Sequence, residues 1–187
     1  GGAKALSDER GLDTETALQR GQLIHLLLEH LPARPESDWP VLATQLLSPI
    51  NQACGAVDKA ALLSEATVLL TKPDLRRIFT TEALAEVDVS ADLPSLGGRR
   101  VHGTIDRLVI DKAEVLAIDF KSNVAVPSEV AHCPEGILRQ MAAYAEALQQ
   151  IYPDHKITMA ILWTKTATLM SLPDRLLSDA LSRADVS

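Results

Sequence analysis

Hydrophobic periodicity changes once along this chain, and that change sets what it can fold into. Up to about residue 80 the apolar residues recur at helical spacing: Ile24, Leu27, Leu28 and Leu31, then Leu62, Leu63, Ala66, Leu69 and Leu70. From Ala85 the period becomes two, with Ala85, Val87 and Val89 alternating with Glu86, Asp88 and Ser90. Helical boundaries are expected at Asp13, as an N-cap with Glu15 in the first turn, and at Pro32, which stops that helix. Further helices should start near Ser37 and at Asp58, with a short fourth opened by Pro73-Asp74.

After the change, Gly97-Gly98 turns the chain into a strand from about Arg99 to Ile110, and Asp111-Lys112 turns it again into Glu114 to Lys121. A proline-bearing loop (Pro127, Pro134) leads to a helix from about Glu135 to Ile151. A strand from Ile157 to Trp163, a short segment from Thr168 to Leu172 and a last helix after Pro173 complete the chain. Helices, consecutive strands, a helix and one or two further strands make a mixed α/β sheet flanked by helices. Residues 1–80 form the N-terminal helical part and 81–187 the α/β core, together one domain, which suits a length of 187 residues. Gly1-Gly2 carries no weight in this reading.

Composition narrows the function. No apolar stretch approaches the roughly 20 residues of a membrane helix, and the first residues lack the apolar segment of a signal peptide, so no membrane association is expected. Cys54 and Cys133, far apart and without companion ligands, exclude a four-cysteine zinc or iron–sulfur site and allow at most one disulfide. A reducing, cytoplasmic location is the simplest expectation. The net charge of −7 argues against a free-standing DNA-binding protein. Basic residues do gather locally, at Arg76-Arg77, Arg99-Arg100 and Arg107, so the charge suits a domain to which another module delivers nucleic acid.

Chemistry concentrates at Ile118-Asp119-Phe120-Lys121-Ser122. Alternation puts Asp119 and Lys121 on one face and Phe120 on the other. A carboxylate can hold a divalent cation while the neighbouring ammonium stabilises an attacking hydroxide or a phosphate oxygen, a pairing suited to phosphodiester hydrolysis. The tripeptide alone is weak: with 25 acidic residues in 187, a D/E-x-K arises about once by chance. Asp154-His155-Lys156 is such a second copy, in a turn before a strand, and alone either reads as a solvated strand end. The preceding strand adds Asp106 among apolar neighbours, in Gly103-Thr104-Ile105-Asp106-Arg107-Leu108, where a carboxylate is costly unless paired or bound to metal. A tight hairpin would bring it beside Asp119; its ordinary alternative is a buried ion pair of the Asp106–Arg107 kind. His25 flanks the apolar stripe of the first helix and by itself reads as a packed or surface residue. Glu86 by itself reads as solvent-exposed. Gln140 and Tyr144, four apart on one helix, point at one target.

Taken in order, Arg20-Gly21-Gln22-Leu23-Ile24-His25, Ala85-Glu86-Val87, Gly103 to Leu108, Ile118 to Ser122 and Gln140-x-x-x-Tyr144 resemble the nuclease domains of the RecB family. They look most like the C-terminal nuclease domain of AddA-type helicase–nucleases. The stretches Leu148 to Pro153 and Ile161-Leu162-Trp163-Thr164 share that likeness, which spans about residues 15 to 180. Ser122 stands where the family usually has threonine, and the four cysteines of the iron–sulfur relatives are missing. The resemblance implies a restriction-endonuclease-like PD-(D/E)xK fold, with His25, Asp106 and Asp119 as metal ligands and Lys121 as catalytic lysine. Glu86 would complete the acidic site, and Gln140 and Tyr144 would support the site or the DNA strand. Two carboxylates suit Mg2+, and an imidazole makes Mn2+ an able substitute; no iron–sulfur cluster is implied. The implied activity is exonuclease cleavage of single-stranded DNA ends fed by a helicase motor, at double-strand breaks awaiting recombinational repair. The implied partner is the AddB-like second subunit of a helicase–nuclease. No G-x-x-x-x-G-K-[ST] occurs in the chain. A stand-alone nuclease and a non-catalytic docking module are the rival readings.

Overall fold

Residues 115–120 of the Glu114–Lys121 strand are all buried, so this strand must be covered on both faces. The computed structural model shows how; it describes residues 2–49, 57–122 and 125–184, with side chains from residue 14 onward. Five strands form one sheet in the order β1 (Leu84–Leu93), β2 (Arg99–Ile110), β3 (Glu114–Lys121), β4 (Lys156–Trp163), β5 (Thr168–Leu172). All neighbours are antiparallel except β3 and β4, which run parallel and are joined through the helix Glu135–Ile151. A parallel pair requires such a crossover, whereas the antiparallel pairs close with short turns.

The helices are α1 (Gly2–His30), α2 (Trp39–Leu47), α3 (Lys59–Thr71), α4 (Glu135–Ile151) and α5 (Asp174–Ala184). On one face, α4 and α5 set Met141, Tyr144, Leu148 and Leu177 against Val89, Ile105, Val115, Ala117 and Ile161. On the other, α1 and α3 set Ile24, Leu27, Leu28, Leu62 and Leu69 against Leu116, Ile118, Phe120 and Leu162. The Val, Leu, Ile, Phe and Met side chains among these contribute roughly 1.5–3 kcal/mol each on leaving water. The mixed sheet with flanking helices is the expected architecture.

Local signals set most boundaries. The Asp58 carboxylate caps α3 by accepting the Ala61 amide at 3.0 Å. Pro32 ends α1, and the Trp39 indole donates to the carbonyls of Leu31 and Arg34, pinning the turn that follows. Near Ser37 a 3-10 turn (Glu36–Asp38) leads into α2, and the segment opened by Pro73 is a 3-10 helix, Pro73–Phe79. The Asp13 boundary is a correction: α1 already runs from Gly2, so Asp13 lies within the helix. Asp is a good cap but only a mild helix breaker, and the alanine, leucine and charged residues before it sustain the helix. Cys133 is free and buried, and Cys54 lies outside the described residues. No helix among the described residues is long and apolar enough to cross a membrane.

Candidate active site

The β2–β3 ladder ends at Arg107↔Ile118. One step beyond it Asp106 stands opposite Asp119, but there the Asp106 side chain replaces the ladder: its Oδ2 accepts the Phe120 amide at 2.6 Å. On the other side of β2 the β1 ladder skips a position, between Ala85↔Arg107 and Val87↔Ile105. The skipped pair is Glu86 and Asp106, and Glu86 has φ +49°, a left-handed backbone uncommon outside glycine. Face alternation slips at this point. Ile105 and Leu108 both join the α4 layer, whereas Arg107 turns to the α1 side, over the Phe79 ring. Four consecutive residues, 105–108, are therefore buried, which simple period-two patterning does not foresee.

Arg107 is not the partner of Asp106. Its guanidinium donates to the carbonyls of Leu28 (2.6 Å) and Ala83 (3.3 Å), tying α1 to the sheet. Burial lowers its pKa, with Glu29 and Glu86 acting in the opposite direction. Asp106 instead meets His25, whose Nδ1 lies 3.2 Å from Asp106 Oδ1. The other ring nitrogen, Nε2, is 3.1 Å from the Phe120 carbonyl, which can only accept, so Nε2 carries a proton. When the ring is neutral its Nδ1 lone pair faces the carboxylates. Metal-ligating histidines are commonly held this way, with the second nitrogen donating to a backbone carbonyl. Gly21 lets α1 approach this strand end, because a Cβ there would lie 2.8 Å from Ser122 Oγ.

One ligand atom each from His25, Glu86 and Asp106 lie within 4.8 Å of one another. Donor types and spacing fit a divalent cation such as Mg2+ or Mn2+. Asp119 stands beside this group, 7% exposed, with Lys121 Nζ 2.7 Å from its Oδ2. Burial raises the Asp119 pKa, Lys121 counteracts it and Asp106 adds to it. Glu86 is exposed, as its sequence position suggested, yet partial desolvation and the charges of Asp106 and Glu29 raise its pKa, against His25 and Arg107. Burial works to lower the His25 pKa, but the hydrogen bond and charge of Asp106, with Asp119 and Glu86, leave it above the ordinary value. Crowded carboxylates that resist ionisation, beside a histidine that favours its cation, mark a place that a positive ion would stabilise.

From the α4 side Tyr144 reaches the same place. Its hydroxyl accepts from Gln140 Nε2 at 3.2 Å. Burial and the charge of Asp119 raise its pKa, against the effect of that bond. All seven residues singled out by sequence (His25, Glu86, Asp106, Asp119, Lys121, Gln140, Tyr144) thus gather at one end of β3. Gly103, against which Tyr144 packs, had no assigned role, although an isolated glycine in a strand signals close approach.

The second D-x-K is elsewhere. Asp154 and Lys156 are exposed in the turn before β4, and Lys156 pairs with Glu114, at the far end of β3 from Lys121. The basic residues also disperse: Arg107 is buried, Arg77 pairs with Glu114 at that far end, and Arg99 and Arg100 lie at the start of β2.

This fold and site define a class. The family model of the PD-(D/E)XK nuclease superfamily matches residues 4–170, and the chain belongs to that family. Among curated relatives, an ATP-dependent helicase/nuclease protein from Desulforamulus reducens is 28% identical over 166 residues, 81% of this chain and 13% of that protein. A threonine–tRNA ligase of Haloarcula marismortui is 31% identical over 102 residues, 53% of this chain and 15% of that protein. The chain thus spans less than a sixth of either relative's length. The solved structure of SSO0001 superposes with a TM-score of 0.35 at 16% identity, covering 84% of this chain and 73% of that one, a likeness too partial to carry an argument.

Proposed function

We propose that this chain is a Mg2+-dependent deoxyribonuclease of exonuclease type, the nuclease domain of an AddA-type helicase–nuclease that processes double-strand DNA ends for recombinational repair. The observation that carries the reading is the Asp119–Lys121 pair, 2.7 Å apart, beside the His25, Glu86 and Asp106 group. In this reading His25, Asp106 and Asp119 hold the cation, with Mn2+ able to replace Mg2+, and Glu86 completes the acidic set. The cation, when bound, supplies Lewis-acid stabilisation of phosphate charge and an acidified water. Lys121 presents a compact ammonium to the attacking water or a phosphate oxygen. Asp106 Oδ2 holds the Phe120 backbone, which leaves its Oδ1, facing His25 Nδ1, for the cation. The helical part, 1–80, and the core, 81–187, act as one nuclease domain, because His25 comes from the first and the carboxylates from the second.

The likeness to a helicase/nuclease protein supports delivery of the substrate by a motor; single-stranded DNA ends, an AddB-like partner and a cytoplasmic location are parts of the same proposal. The net charge of −7 agrees with delivery by another module. The test is cleavage of single- and double-stranded DNA by the purified chain with Mg2+. EDTA should abolish it, and so should Asp119→Ala with the fold retained; full cleavage in EDTA would sink the reading.

A further inference from the structure

Gly103 lies on β2, three residues before Asp106, under the Tyr144 ring. A Cβ at this position would overlap the Tyr144 hydroxyl and stand 2.5 and 2.6 Å from ring atoms Cε1 and Cζ. Real Cβ atoms essentially never come that close, so any side chain here must push the tyrosine away. Its backbone φ is not left-handed, so space rather than conformational freedom is what the glycine provides. Gln140 Nε2 donates to the Tyr144 hydroxyl oxygen at 3.2 Å. A hydroxyl has two acceptor sites and one donor. Gln140 occupies one acceptor site and leaves the hydroxyl's own proton to donate, over the strand that carries Asp106.

We propose that Gly103 is a positioning residue, which by lacking a side chain sets the Tyr144 hydroxyl at the active site to donate its proton as a hydrogen bond to a non-bridging phosphate oxygen of the substrate. The inference rests on the nuclease reading and deepens it. Tyr144 is 5% exposed and packed under β1 and β2, so it cannot yield without leaving Gln140. A displacement of about 1 Å in such a group costs on the order of a hundredfold in rate.

The test compares Gly103→Ala and Tyr144→Phe with wild type in single-turnover DNA cleavage, alongside Mn2+ titration calorimetry. Both variants should lose about a hundredfold in rate and keep Mn2+ affinity, which shows that β2 and Asp106 are intact. In a Tyr144→Leu background, which lacks the atoms a Cβ would strike, adding Gly103→Ala should cost less than about twofold. In a Tyr152→Phe background, leaving one tyrosine, the phenol titration should move toward the ordinary value on Gly103→Ala as the ring loses burial. An undiminished rate in Gly103→Ala, or an equal further loss in the Tyr144→Leu background, overturns the inference while the nuclease reading stands. A wild type that cleaves no DNA overturns that reading and this role with it. Loss of Mn2+ binding in Gly103→Ala would assign the glycine to strand geometry instead and overturn the proposal too.

Discussion

The two ends of β3 carry acids of opposite character. At its start, Asp111 accepts the amides of Ala113 (2.9 Å) and Glu114 (2.8 Å), and these bonds hold its pKa below the ordinary value. Glu114 is held low too, by Thr158 (2.7 Å) and Arg77 (2.8 Å). At its end, Asp119 and Glu86 are pushed up, first by burial and then by the company of Asp106. The first pair is comfortable when ionised and serves the fold; the second is not, and a bound cation would relieve it. The same contrast separates the two D-x-K tripeptides. Seven residue steps of β3, roughly 23 Å, lie between the register of Lys156 and that of Lys121. What distinguishes them is company from other elements, since residue types and spacing are identical.

The sharpest break in this comparison would come from the lysines. Arginine's planar fork does not replace a compact ammonium in tight geometry. Lys121→Arg and Lys121→Ala should each lose about a hundredfold or more in cleavage rate, with Mn2+ affinity by calorimetry little changed. Near-normal cleavage by Lys121→Arg would make Lys121 an ordinary strand-end charge.

Stability should move in opposite directions at the two ends. With metal chelated at neutral pH, Asp119→Asn removes a buried charge whose ionised form the fold disfavours. Its melting temperature should rise, by about 2–4 °C for each kcal/mol gained in a chain of this size. Asp111→Ala removes two amide partners and should lower it. A fall in Asp119→Asn would mean that the bond to Lys121 outweighs the crowding.

A smaller effect concerns pH. The raised pKa of His25 means that its contribution is fully present below about 6.5 and is lost as pH rises through the folded value above that. Asp119 and Glu86, also raised, lower stability as pH climbs from the ordinary carboxylate range through their folded values. Metal-free protein should therefore melt lower at about pH 8.5 than at about pH 6, and His25→Asn should flatten the difference. A wild-type curve that rises over that interval would contradict the assignment. At the small end of the scale, Asp154→Ala with Lys156→Ala should leave the rate within about twofold. A loss rivalling that of Lys121→Ala would move the catalytic lysine to the other tripeptide.

Much of the fold was legible because its signals are local. Gly97-Gly98 and Asp111-Lys112 bound β2 and β3, and Asp58 caps α3. Asp13 misled because capping residues also occur within helices. In the site, Asp119, Lys121 and Phe120 follow from alternation alone. The left-handed Glu86 and the slip of faces at Asp106 do not, since both arise where two ladders fail together. The Asp106–Arg107 ion pair, a fair expectation for a buried acid, gave way to carbonyl partners for Arg107 from α1 and from the residue before β1.

The buried bond from Arg107 to the Leu28 carbonyl joins residues 79 apart, and the contact of His25 with Phe120 spans 95. The helical segment can form through near-neighbour contacts, and long-range pairings are the slow ones to close. An intermediate with its sheet assembled but α1 undocked would have Asp106 and Asp119 in register and no imidazole beside them. The candidate centre is therefore complete only when α1 has docked, so its integrity reports on the long-range closure of the whole fold.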